Sequence, residues 1–252
     1  MTYLSRIRID PSRAESRELL ASPRAMHGAV IGGIPDPSQM DRVLWRLDTD
    51  DPRCPLLFVL SPSRPDWTRL VKAASRLGAD GDQAATREYR PLLARLAIRG
   101  EFAFRVTASP VRNDPRASTA SRDRKDRRAP RIPHRTPAQQ LEWFLEHALG
   151  WGFTIPDTHP DPAASGPDRP SPRSVPDVRI IGRSRHSFTE GGCDTPVTLH
   201  TTTFEGRLLI TDVVLLVQAM LKGIGPSRAY GCGLLTLAPP RSQSPHSAGA
   251  LK

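Results

Sequence analysis

A glycine-rich segment at 222–235 is the part of this chain whose residue types most clearly indicate chemistry. It reads Lys-Gly-Ile-Gly-Pro-Ser-Arg-Ala-Tyr-Gly-Cys-Gly-Leu-Leu, between an apolar predicted helix and an apolar predicted strand. A glycine backbone can approach a ligand closely, and its N–H groups suit phosphate oxygens. Lys222 and Arg228 add positive charge. The segment lacks a Gly-Lys-Ser/Thr ending, which makes ATP binding a poor interpretation. The alternative is a tight connection whose glycines serve only backbone geometry.

Arg24 and His27 form a second candidate. Ser22 is a good N-cap and Pro23 a good first helical residue, so a helix is predicted to begin at Pro23. Arg24 and His27 lie three residues apart and share a face of that helix. A proton carrier and a cation would then lie at a helix N-terminus, where the helix dipole favours phosphate. The alternative is an ordinary surface histidine.

The other six histidines have weaker cases as proton carriers. His134, His159 and His246 lie in segments predicted to lack fixed structure. His147 lies on a predicted helix and His200 on a predicted strand beside threonines. His186 lies close to Arg183 and Arg185. The setting of the last one suits contact with a nucleic acid better than acid–base catalysis.

Residues 1–111 are predicted to form the first of two domains. Apolar spacing predicts the order strand, helix, strand, strand, helix, strand, with an additional short helix after the first. The elements are Tyr3–Ile9, Pro11–Leu20, Pro23–Ile31, Arg42–Leu47, Leu56–Leu60, Asp66–Leu77 and the closing strand Glu101–Val111. This order is that of a ferredoxin-like domain.

Residues 136–240 are predicted to repeat that order. The predicted elements begin with a helix from Thr136 to Leu149 and a strand at Gly152–Ile155. A hairpin of Val178–Phe188 with Pro196–Phe204 follows, then a Glu205-Gly206 turn and a strand at Arg207–Ile210. The last elements are a helix at Val213–Leu221 and a strand at Leu234–Leu237. The predicted fold class is therefore α+β, with two tandem ferredoxin-like (RRM-like) domains.

Composition sets limits on the remaining segments. Residues 112–135 carry nine of the 36 Lys and Arg but only three Asp and Glu, which predicts a basic flexible linker and accounts for much of the net charge of +10. Six prolines in 157–176 predict a long loop, and 241–252 a disordered tail. The basicity favours an anionic partner, although a solubilising linker explains it equally well.

Compartment and metal content follow from other features of the sequence. The longest apolar runs fall short of the roughly 20 residues that span a bilayer, and the N-terminus lacks the apolar block of a signal peptide. Three widely spaced cysteines, Cys54, Cys193 and Cys232, make neither a disulfide framework nor a zinc ligand set. We expect a cytoplasmic protein with no membrane segment and no metal site.

The glycine-rich segment resembles the signature loop of the CRISPR repeat-processing ribonucleases. Three further segments resemble the CasE-type endoribonucleases of type I-E CRISPR systems. They are Tyr3-Leu4-Ser5-Arg6, Phe104-Arg105-Val106-Thr107-Ala108-Ser109-Pro110 and Thr203-Phe204-Glu205-Gly206-Arg207-Leu208. The resemblance covers both predicted domains and leaves out 112–135, the proline-rich loop and the tail.

The resemblance implies an activity and partners. Enzymes of this type grip a hairpin-forming repeat, cut at the base of its stem without a metal or small-molecule cofactor, and leave 5′-hydroxyl and 2′,3′-cyclic phosphate ends. They stay on the product RNA and join other subunits of the Cascade complex. The family carries its catalytic histidine in the helix that corresponds to 23–31, and His27 matches it. Arg24 stands where relatives often have a tyrosine. An arginine stabilises negative charge but stays protonated, so it does not donate a proton as tyrosine does.

The same resemblance directs the choice of RNA-binding candidates. Basic residues of the predicted hairpin and the glycine-rich segment are expected to contact the RNA backbone. They are Arg179, Arg183, Arg185, His186, Lys222, Gly223, Gly225, Ser227, Arg228 and Gly231. For each of the basic residues a solvated strand face is the alternative. Two other functions stay open: a subunit of Cascade that holds RNA with little or no cutting, and an RNA-binding protein unrelated to CRISPR.

Overall fold

The structure is a computed structural model, and it describes residues 1–36, 38, 43–75, 83–113, 131–158, 174–189 and 196–240. Most of the predicted basic linker, most of the proline-rich loop and the predicted tail lie outside the described residues, as does Cys193.

The first sheet contains four antiparallel strands in the order β2-β3-β1-β4. Its elements are β1 Tyr3–Arg8, α1 Ala14–Ala21, α2 Pro23–Ile31, β2 Leu44–Asp48, β3 Leu56–Ser61, α3 Thr68–Ala74 and β4 Ala84–Glu88. Met26 and Val30 of α2 and Leu70 of α3 pack with Ile7 and Leu57 of the sheet in one apolar core. This strand order is that of a ferredoxin-like domain.

The second sheet has the strand order β11-β5-β10-β8, with β9 also paired to β10. The elements are α4 Arg90–Leu93, β5 Glu101–Ala108, β6 Val111–Asn113, β7 Arg131–Pro133, α5 Pro137–Ala148, β8 Phe153–Thr154, β9 Val178–Thr189, β10 Pro196–Ile210, α6 Val213–Lys222 and β11 Thr236–Ala238. Thr136 and Gln139 form a capping box at the start of α5, and Asp212 caps α6.

Strand β5 belongs to the second sheet, so the interpretation of Glu101–Val111 as the closing strand of the first domain is wrong. It pairs with β10 from Thr202 to Leu209 and with β11. The first sheet is closed instead by β4, whose Ala-Ala-Thr-Arg-Glu sequence carries little apolar pattern. Sheet membership therefore changes between Glu88 and Glu101 rather than at residue 112.

Strand β10 is continuous, and the predicted turn at Glu205-Gly206 is absent from it. Gly206 has a different role there. A Cβ atom at this position would lie 2.0 Å from the carbonyl oxygen of Asp177. The glycine thus permits close approach of the chain that enters β9, which is a use of glycine in a strand other than a turn.

The two sheets meet through both apolar and polar contacts. Leu44 and Leu60 of the first sheet are buried in the same core as Phe104 and Val106 of β5. Arg46 of β2 is also buried, and its guanidinium donates to the carbonyl oxygens of Arg105 and Leu234 at 2.8 and 3.1 Å. Arg105 also pairs with Asp50 of the first domain and Glu205 of the second. These contacts hold helix α2 against the glycine-rich segment.

Candidate active site

Helix α2 positions His27 as the sequence predicts. The helix begins at Pro23, and the backbone N–H of Ala25 donates to the side chain of Ser22 at 3.3 Å. Met26 and Val30 face the core, which leaves His27 half-buried and Arg24 exposed on the outer side. The sequence of this short segment therefore determines both the start of the helix and its orientation.

The His27 ring lies against the glycine-rich segment. Its centroid is 6.5 Å from that of Tyr230, with the planes at 62° in an edge contact. The Nδ1 atom is buried and has no hydrogen-bond partner among the described residues. Burial lowers the pKa of His27 below its ordinary value of 6.5, because a partly dehydrated imidazolium is disfavoured. At neutral pH the ring is therefore mainly uncharged.

The glycine-rich segment is held against the first domain by Trp45. Ser227, with a φ of 62°, precedes a 3₁₀ turn at Arg228–Tyr230. The indole N–H of Trp45 donates to the carbonyl of Ala229 at 3.1 Å. Gly231 has a φ of 81°, and a Cβ atom there would lie 2.8 Å from the Trp45 ring. Glycine at 231 thus meets a conformational and a steric requirement, as the alternative interpretation of the segment expected.

The β9–β10 hairpin reaches the same site from the second domain. It extends beyond β5, since β10 pairs with β5 only from Thr202 onward and with β9 from Pro196. The Phe188 ring lies 4.7 Å from that of Tyr230. His186 lies two residues before Phe188 and so on the same face of β9. Burial lowers its pKa.

The opposite face of the hairpin is strongly basic. Arg185 is opposite His200 in the strand register, and Arg183 is opposite Thr202. Arg183 also donates to the carbonyl oxygen of Arg135. The pKa of His200 is lowered by burial and by the charges of Arg185, Arg135 and Arg183. We call this set of residues the basic face.

The structure separates the predicted RNA-binding residues into groups. Arg183 and Arg185 lie on the basic face, whereas His186 faces the side of Tyr230. Arg179 is paired with Glu205 at 2.9 Å near the domain interface. Glu205 is partly buried, which raises its pKa, but hydrogen bonds from Arg105 and Arg179 outweigh burial and lower it.

The predicted residues of the glycine-rich segment stay together but differ in exposure. Lys222 and Arg228 are exposed, and the guanidinium of Arg228 donates to the carbonyl of Gly225 at 3.2 Å. Gly223, Gly225 and Ser227 are half-buried, whereas Gly231 is buried against Trp45. Gly231 is therefore poorly placed to contact a phosphate group.

Three aromatic residues of the site were not selected from the sequence. They are Tyr230, Phe188 and Trp45, which surround the turn beside His27. The available signal for Tyr230 was its position inside the glycine-rich segment, between Ala229 and Gly231. Trp45 and Phe188 lie on strands where an aromatic residue is ordinary, so sequence alone gave no reason to select them.

Across the described part of the chain, no group of three or more His, Cys, Asp or Glu side chains is arranged to hold a metal ion. None of the helices found there is both long and apolar enough to cross a membrane.

The sequence model of a family described as CRISPR associated protein matches residues 2–239. The chain belongs to this family. It is 24% identical over 242 residues to the CRISPR-associated endoribonuclease Cse3 of Thermus thermophilus, covering 94% of this chain and all of that protein. It is also 24% identical over 208 residues to the CRISPR system Cascade subunit CasE of Escherichia coli, covering 80% of this chain and 91% of that protein. The suspected resemblance to CasE-type proteins is confirmed.

Solved structures of family members share the fold. Thermus thermophilus Cse3 bound to an RNA representing a pre-cleavage complex has a TM-score of 0.68 at 21% identity, with 94% of this chain and 99% of that chain covered. The CRISPR-associated protein Cas6e of Escherichia coli has a TM-score of 0.57 at 24% identity, with 94% and 99% covered. The predicted fold of two tandem ferredoxin-like domains is confirmed.

Proposed function

We propose that this protein is a metal-independent endoribonuclease that cuts CRISPR repeat hairpins in precursor CRISPR RNA. The observation that carries the proposal is the position of His27: a half-buried histidine at the start of a capped helix, in contact with the family's glycine-rich segment. Membership in a family that includes a named CRISPR endoribonuclease supports it. The product is retained and delivered to other Cascade subunits, which is supported by the relative named as a Cascade subunit.

The proposed reaction is transesterification by the RNA's own 2′-hydroxyl. The 2′-oxygen loses its proton and attacks the adjacent phosphorus atom, and the bond to the 5′-oxygen breaks. The departing 5′-oxygen takes a proton from water, so that 2′,3′-cyclic phosphate and 5′-hydroxyl ends form. We infer that His27 is the general base that takes the 2′-hydroxyl proton, because its lowered pKa keeps the ring uncharged at neutral pH. Nδ1 is buried, so Nε2 meets the RNA. Arg24, exposed on the same helix face, stabilises charge on the phosphorane.

The basic face supplies a surface for the paired stem. A-form RNA is recognised mainly through its backbone and shape, and Arg183, Arg185 and Arg135 lie together where a phosphate backbone can contact them. Phe188 lies on the other face of the same hairpin and contacts Tyr230. The β9–β10 hairpin therefore connects the basic face with the turn that contacts His27.

Cleavage of the cognate repeat hairpin in excess EDTA tests the proposal. We expect cutting at one position, with a cyclic phosphate that acid hydrolyses to a monophosphate and a 5′ end that a kinase labels without prior phosphatase treatment. Tight binding without cutting would instead assign the protein as an RNA-holding Cascade subunit. The observation that favours this second candidate is Arg24, which stays protonated and so provides no second proton-transfer group.

The pH dependence of cleavage should report His27 as a base. Below its lowered pKa the ring is protonated and inactive, so the single-turnover rate should rise about tenfold per pH unit and then level off, with a midpoint below 6.5. Rates at saturating enzyme between pH 4.5 and 8.5 measure this. A rate that falls across the same range would mean that protonated His27 acts as an acid.

Tyr230 provides a check that the midpoint belongs to His27. Replacing it with alanine removes the ring that lies against the imidazole and exposes His27 to water. The midpoint should then move upward toward 6.5, because the desolvation that lowers the pKa is relieved. The Tyr230→Phe variant keeps the ring and should keep the midpoint. Unchanged midpoints in both variants would contradict this assignment.

A further inference from the structure

A second cleft lies along the other half of the glycine-rich segment, beside helix α5. Its volume is about 580 Å³. Aromatic side chains line one part of it, two arginines another, and glycine backbone a third. The lining includes Trp143, His147, Trp151, Arg131, Arg228 and Gly225. The described lining contains no acidic residue and includes neither His27 nor Tyr230.

The rings of Trp143, His147 and Trp151 pack against one another, with His147 stacked on Trp151 and the two tryptophans in an edge contact at 60°. The His147 centroid is 5.0 Å from that of Trp143 and 5.7 Å from that of Trp151, with the ring planes 32° and 29° apart. His147 Nδ1 lies 2.7 Å from the carbonyl oxygen of Trp143. A carbonyl oxygen only accepts, so Nδ1 carries the proton and Nε2 is the acceptor of the neutral ring. Trp143 is buried beneath, whereas His147 is exposed and Trp151 half-buried.

The charged residues of the described cleft lining are both arginines. Arg131 is exposed at the start of β7 and Arg228 at the start of the 3₁₀ turn. A side chain at Gly225 would lie 3.4 Å from the Trp143 ring, so glycine there keeps this end of the cleft open. An exposed aromatic surface beside guanidinium groups suits a stacked base with its phosphate. In a paired stem the base faces are already covered, which favours an unpaired strand.

The cleft is continuous in sequence with the His27 site. Arg228 lines the cleft, and Tyr230, two residues later, contacts His27. Two residues span at most about 7 Å of extended chain. We propose that this cleft binds unpaired ribonucleotides that flank the repeat hairpin, stacking a base on His147 and Trp151. The inference rests on the proposed function, because it assigns the cleft to the same RNA.

Binding of two RNAs to the full chain tests the inference, with His27→Ala as the background so that neither is cut. One RNA is the hairpin stem alone, and the other is the stem with its single-stranded flanks. His147→Ala and Trp151→Ala should each weaken binding of the flanked RNA by about 5- to 100-fold, the range for one lost base stack. Binding of the bare stem should not change. Leu149→Ala, an exposed residue outside the cleft, is the matched control and should change neither.

Three outcomes would overturn the inference. If the variants bind the flanked RNA as tightly as the background protein, the cleft does not bind the flanks. Equal loss for both RNAs shows a general structural effect. His147 is the decisive position here because its side chain is exposed and lies outside the apolar core. Unchanged RNA affinity with weaker association to Cascade subunits would assign the cleft to a protein.

A separate measurement keeps the cleft distinct from the proposed cleavage. Binding of a short oligouridylate should quench the tryptophan fluorescence of the protein. The affinity measured in this titration should fall in His147→Ala by the same factor as the affinity for the flanked RNA. This result does not depend on cutting or on the hairpin. If cleavage fails, the cleft can still be shown to bind RNA by this titration. Equal oligouridylate affinity of the background protein and its His147→Ala variant would refute RNA binding by the cleft and would leave the proposed cleavage untouched.

Discussion

The His27→Ala variant should bind the repeat hairpin like the wild type and cut it about 10²- to 10⁴-fold more slowly, the range for loss of a general acid or base. Affinity should persist because the basic face of Arg135, Arg183 and Arg185 belongs to the second domain and includes no residue of α2. Single-turnover cleavage in EDTA and filter binding of the same RNA, measured side by side, give the two numbers.

The variant should also fold normally. The Nδ1 atom of His27 has no hydrogen-bond partner among the described residues, so its removal breaks no hydrogen bond seen there. His134→Ala is the matched control: only the backbone of His134 takes part in the hydrogen bonds described, with Pro110 and Gln140. It should cut at the wild-type rate. Undiminished cleavage by His27→Ala would refute the catalytic assignment, and loss in both variants would point to a general effect on the protein.

Local signals in the sequence predict the helices of the site well. Ser22 and Pro23 locate the start of α2, and Thr136 and Asp212 locate the starts of α5 and α6. A cap acts on backbone groups within three residues, so the information is contained in the segment itself. The position of His27 on α2 follows from the same short-range rule.

Strand partners depend on contacts that are distant in sequence, and there the prediction failed. The alternation of Phe102, Phe104 and Val106 correctly indicates a strand but fits either sheet. Strand β4 has few apolar residues, so its place was given to the next strong strand along the chain. The contact of Tyr230 with His27 requires the two domains to be docked, and no pattern within one segment encodes that.

The interface that docks the domains should depend strongly on Arg46. Its side chain is 3% exposed and pairs with Asp48, which is 9% exposed, at 2.7 Å. Arg46→Ala would leave the Asp48 carboxylate with Arg105, 3.3 Å away, as its remaining charged partner, and would remove the Arg46 donor from the carbonyls of Arg105 and Leu234. Loss of one partner of a buried pair costs about 3–5 kcal/mol of unfolding free energy. Equilibrium unfolding in urea measures this.

An exposed pair offers the matched comparison. Arg53 and Asp51 are 3.5 Å apart, with side chains 91% and 52% exposed, so Arg53→Ala should cost less than about 1 kcal/mol. A similar small loss for Arg46→Ala would show that the interface does not depend on this residue.

The same substitution should also separate cleavage from binding. Trp45, the neighbour of Arg46 on β2, holds Ala229 and therefore the turn that carries Tyr230 against His27. At a temperature where Arg46→Ala is still folded, cleavage should fall more than affinity, because the basic face lies within the second domain and does not need the interface. Equal losses of both would mean that the RNA itself, rather than Arg46, brings α2 and the glycine-rich segment together.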